Sequence, residues 1–148
     1  VGHLPRLVKE GFNGPIWCTS PTSEIAKVIL EDSAKIQEEE AEHANRFGYS
    51  KHKEALPLYD LNVVQKTIPL FVSQPIKEWI TVADNIQVRF CYNGHIVGAT
   101  YIELKVNGKL ITFSGDIGRM KDPLLYPPEL PRETDVLVME STYGNRVH

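Results

Sequence analysis

The sequence predicts a layered α/β fold built on a mostly antiparallel sheet, and three observations carry that expectation. Between residues 4 and 71, apolar residues recur at helical spacing between capping and stop signals. From residue 78 onward, apolar and polar residues alternate in short runs, the signature of half-buried strands. Two of those runs flank Asn107-Gly108, the preferred pair for a two-residue hairpin. With 148 residues the chain is one domain's worth, enough to bury a core.

The elements follow in order. "GHLPRLVKEGF" predicts a short helix closed by Gly11, and "GPIWCTS" a short strand. Ser20-Pro21 signals an N-cap and first turn, with Ile25, Val28 and Ile29 at helical spacing behind it. "DSAKIQEEEAEHANRFG" predicts a second helix from Asp32 to near Gly48, its Glu38-Glu39-Glu40 run a solvated face. "YSKHKEALPLY" is polar and irregular, an exposed loop, and "DLNVVQKTIPLF" a short helix capped by Asp60. "KEWITV" and "IQVRFCY" predict strands around Asp84-Asn85, with Ile86, Val88 and Phe90 on a buried face and Gln87, Arg89 and Cys91 on an open one. The hairpin "ATYIELKVNGKLITFS" comes next, then the irregular proline-rich "KDPLLYPPELPRE". "TDVLVME" has the uninterrupted apolar character of a strand buried on both faces.

Composition narrows the function classes. No apolar run approaches the length that spans a bilayer, and the first ten residues lack the basic head and apolar stretch of a secretory leader. Cys18 and Cys91 lie far apart and in no metal-binding pair, which points to reduced thiols and a cytoplasmic location without a membrane partner. The net charge of −3 runs against the basic surplus of most nucleic-acid binders.

The polar residues at the strand ends raise a sharper possibility. "YNGHIVGA" presents His95, "FSGDIGR" presents Asp116, and the apolar run "DVLVM" ends at Glu140. Rigid strands aim side chains into the room that loops leave, and a histidine with a carboxylate suits a divalent metal such as zinc. Taken singly, a loop histidine is a surface residue and an aspartate between glycines a turn residue. Glu140 behind four apolar residues should be partly buried and in need of a partner. Spacing alone leaves both readings open.

Read together, "GHLPRLVKEGFNGPIWCT", "DSAKIQEEEAE", "PLYDLNVV", "YNGHIVGATYIEL", "FSGDIGR" and "DVLVMESTYGNRVH" resemble the metallo-β-lactamase superfamily. More closely they resemble its β-CASP branch of RNA-processing nucleases, "SGDIGR" and "ESTYGNR" being the most specific motifs. The resemblance implies that residues 1–140 are part of an αβ/βα sandwich and that 141–148 begin the connection into a β-CASP domain. It implies a zinc-dependent ribonuclease with two zinc ions, in which a metal-bridged hydroxide hydrolyses a phosphodiester. In that scheme His95 is a ligand of one ion, Asp116 bridges both, and Glu140 orients a later histidine that acts as general acid. The family's His-x-His-x-Asp-His motif would precede Val1 and its later histidines would follow His148. The chain is therefore expected to be an internal piece of a longer nuclease, inactive alone, with RNA, the remainder of its own chain and a second copy of itself as partners. His3, His43 and His52 match no motif and read as surface or structural residues, and no role is assigned to His148. Two alternatives are another hydrolase of the same fold, against which "ESTYGNR" speaks, and a catalytically silent scaffold, against which the presence of His95 and Asp116 speaks.

Overall fold

The computed structural model describes residues 1–142 and 144–146. The chain divides into two units, one of Val1–Cys18 with Ser23–Ser73, the other of Thr19–Thr22 with Gln74 onward. No helix among the described residues is long and apolar enough to cross a membrane. Cys18 and Cys91 are both free and buried, and burial pushes both thiols above their ordinary range.

In the first unit, helix α1 (Leu4–Lys9) starts with Pro5 in its first turn and closes at Glu10 and Gly11. Strand β1 (Ile16–Cys18) pairs in parallel with β2 (Phe71–Ser73). Helix α2 (Ser20–Phe47) is a single element where the sequence suggested two. No Gly or Pro interrupts residues 22–47, so Asp32 finds its neighbours' amides already bonded within the helix and its capping tendency is overridden. The cap belongs to Thr19, one residue earlier than expected, whose Oγ1 accepts the Thr22 N–H. The helix stops at Gly48, whose N–H bonds the Ala44 carbonyl.

The buried stripe of α2 is Ala26, Leu30, Ala34, Ala41 and Ala44, and Val28 and Ile29 face outward. Small residues at three- and four-residue spacing let neighbouring chain approach closely, and that outweighs the bulk of the β-branched pair. Leu30 and Ala34 form the unit's core with Tyr59 and Val64, packed by Val63, Ile68 and Phe71. Tyr59 ends the exposed loop that the sequence predicts and bonds Ser33 through its hydroxyl. Helix α3 (Leu61–Thr67) is capped by Asp60, which accepts the Val63 N–H, and runs through one 3-10 turn (Ile68–Leu70) into β2.

The second unit is a five-stranded sheet ordered β3-β4-β5-β6-β7: β3 (Ile80–Ala83), β4 (Ile86–Tyr92), β5 (Thr100–Val106), β6 (Lys109–Phe113) and β7 (Val136–Val138). The first three pairings are antiparallel and β6–β7 is parallel, which makes the sheet mostly antiparallel as expected. Asn107 and Gly108 form the hairpin turn between β5 and β6, both with positive φ (49° and 79°).

Two expectations fail here. The face of β4 expected to be open is covered, because Arg89 is buried in an ion pair with Glu103 on β5 and lies over the Trp79 ring. The backbone N–H of Arg132, in the proline-rich segment, also reaches Glu103, so that segment lies over this face. The apolar run of β7 is about half exposed at all three residues rather than buried on both faces. It forms the sheet's edge among the described residues, so the apolar pattern reflects the cover a strand would take and not the cover it has here. Of the 141–148 connection, Tyr143, Val147 and His148 lie outside the described residues.

Candidate metal centre

The sheet order puts three chain ends together. Strands β4, β6 and β7 run the same way, with β5 reversed between β4 and β6, so their carboxyl ends share one edge. His95 lies three residues beyond β4, Asp116 three beyond β6, and Glu140 two beyond β7. His95 Nε2 stands 3.8 Å from Asp116 Oδ2. Their side chains are 42% and 74% exposed, so the pair is open to solvent.

Glu140 is half-buried and accepts a hydrogen bond from the Ile117 N–H, directly after Asp116. The need for a partner is met by the loop that carries Asp116. The Glu140 N–H in turn donates to Ser114 Oγ at 3.0 Å, and the Ser114 N–H to the Val138 carbonyl at 2.9 Å. The ends of β6 and β7 are thus laced together by backbone and one buried hydroxyl.

The glycines around Asp116 serve the protein's own packing. Gly115 has φ +56°, a conformation that side chains resist. Gly118 lies on the backbone of the His95 loop: a Cβ built there would stand 1.9 Å from the Gly94 carbonyl oxygen and 2.5 Å from His95 N. Any side chain at 118 forces the two loops apart. Glycine at 118 is what permits this close approach of the Asp116 loop to the His95 loop.

The donor set suits zinc in kind and in spacing. Two ligands each about 2.1 Å from a tetrahedral ion stand roughly 3.4 Å apart, so 3.8 Å calls for a shift of a few tenths of an ångström. Among the described residues no group of three or more His, Cys, Asp or Glu converges, so His95 and Asp116 by themselves fall short of a complete shell. A stable site normally takes at least three protein ligands.

Sequence reasoning missed Asn93 and Ser114, both buried beside the site. Asn93 reads as one more polar loop residue next to Gly94. The available signal was its place directly behind the buried strand β4, where an amide must find partners.

No family model matches the chain. It is 27% identical over 148 residues to a ribonuclease, TTHA0252, of Thermus thermophilus, covering all of this chain and 30% of that protein. It is 28% identical to Integrator complex subunit 11 of Danio rerio, covering 99% of this chain and 23% of the relative. It is 30% identical to the transcription termination factor FttA of Methanococcus maripaludis, covering 97% of this chain and 21% of the relative. The chain spans less than a third of the length of these relatives.

Proposed function

With β-CASP members of the metallo-β-lactamase superfamily as its homologues, the chain is one from which we propose a zinc-dependent ribonuclease, with this segment supplying part of the metal site in the full-length protein. The observation that carries the reading is the meeting of His95 and Asp116 at 3.8 Å on the shared edge of β4 and β6. His95 would hold one ion through Nε2, and Asp116 would reach two through its carboxylate. Zinc bound there would act as a Lewis acid on a phosphodiester and lower the pKa of a water toward neutrality. Glu140, held beside Asp116 by the Ile117 N–H, would orient a general-acid histidine supplied by a β-CASP domain.

The remaining ligands and much of the RNA-binding surface would come from protein beyond this segment, with residues 141–148 as the connection. The net charge of −3 accords with a site where metal, and not a basic patch, faces the scissile phosphate. Exposed Phe113, Val136 and Val138 on β6 and β7 support further protein, from the same chain or a second copy, packing on this edge. The buried free thiols support a reducing, cytoplasmic setting.

Incubating the full-length protein with labelled single-stranded RNA, with and without a chelator, tests the reading. Cleavage should disappear on chelation and return when zinc is restored. Cleavage that survives complete metal removal would contradict it.

A further inference from the structure

We propose that Asn93 is the positioning residue that sets His95 against Asp116. The consequence for catalysis rests on the ribonuclease reading above, whereas the clamp itself is a matter of protein geometry. Asn93 follows β4 directly and is 2% exposed. Its Nδ2 donates to the Asp116 carbonyl at 2.9 Å and to the Ser114 carbonyl at 3.4 Å. Its Oδ1 accepts the His95 N–H at 3.4 Å, and its own carbonyl accepts the Gly118 N–H at 2.8 Å. One residue therefore holds the backbone on both sides of Asp116 and the backbone of His95.

The sheet alone does not do this. β5 lies between β4 and β6, so their ends are roughly 10 Å apart at ordinary strand spacing. The Asn93 amide spans that gap beyond the start of β5. Its chemistry is specific, because a carboxamide offers two donors and an acceptor in one short planar group. Both donors point at carbonyl oxygens and the acceptor at an N–H. Aspartate has the same shape, but it would set an oxygen against two carbonyls and push the Asp116 loop away. Alanine would leave the carbonyls and the N–H unpaired in a buried place. Ser114 extends the link to the third loop, its hydroxyl donating to the Gly115 carbonyl and accepting the Glu140 N–H.

The test compares Asn93→Ala with Asn93→Asp in the full-length protein. Hydrogen exchange of the metal-free protein should speed up in both the 94–98 and the 115–118 segments, in Asn93→Asp at least as much as in Asn93→Ala. With RNA, both variants should lose about 30-fold in kcat with KM within about threefold, in line with the 10- to 100-fold cost of removing a partner that orients metal ligands. A residue that only fills space would tolerate aspartate better than alanine. Exchange unchanged in either segment, or Asn93→Asp cleaving within threefold of wild type, would overturn the proposal. Accelerated exchange in a protein whose wild type cuts no RNA would overturn the ribonuclease reading and leave the clamp standing.

Discussion

Replacing Asp116 with asparagine in the full-length protein is expected to reduce RNA cleavage by about a thousandfold or more and to leave the fold intact. A neutral amide bridges two cations poorly, and the loss of several kcal/mol of charge stabilisation corresponds to that factor. The fold should survive because the Asp116 side chain is 74% exposed and its carboxylate faces His95 at 3.8 Å, beyond hydrogen-bond distance. The hydrogen bond that anchors this loop to Asn93 uses the backbone carbonyl of Asp116, which the substitution keeps. Cleavage rates and thermal unfolding of the two proteins, measured side by side, check both halves. Activity within a few-fold of wild type would make Asp116 a turn residue and nothing more.

The largest effect on stability is expected from Glu103→Leu. Glu103 is fully buried, pairs with Arg89, and also accepts the Arg132 N–H from the proline-rich segment. The Arg89 side chain is 10% exposed and its Nε has no hydrogen-bond partner among the described residues, so the ion pair with Glu103 is its principal compensation. Removing one member of a buried pair costs about 3–5 kcal/mol, because the other charge stays buried without its partner. Chemical denaturation should show a loss of that size, and Arg89→Met combined with Glu103→Leu should recover a large part of it. A single variant within about 1 kcal/mol of wild type would mean that the pair contributes little.

Element types were legible in the sequence wherever local chemistry decides them. Asn107-Gly108 makes a hairpin by its own φ preference, Asp60 caps α3 with its own carboxylate, and Gly11 and Gly48 end helices without help from afar. Burial was less legible, since it depends on what packs from elsewhere. Arg89 alternates like a surface residue and is buried because Glu103, fourteen residues away, neutralises it. The β7 run has core composition and lies on an edge, and α2 buries its alanines in preference to Val28 and Ile29.

The candidate site divides along the same line. His95, Asp116 and Glu140 could be singled out as candidates because each follows an abrupt strand end in a stretch that resembles a nuclease motif. Asn93 and Ser114 were not, because their role arises only when β4 and β6 are set on either side of β5. Nor was the need for glycine at 118, which arises only because the backbone at Gly94 packs against it.

The most direct test of the central claim is the metal content of the full-length wild type and of His95→Ala, with RNA cleavage assayed on the same preparations. The wild type should carry about two equivalents of zinc, and His95→Ala should lose at least one together with its cleavage. His95→Ala that keeps all its zinc and cuts RNA at the wild-type rate would contradict the claim that this strand edge is the metal site.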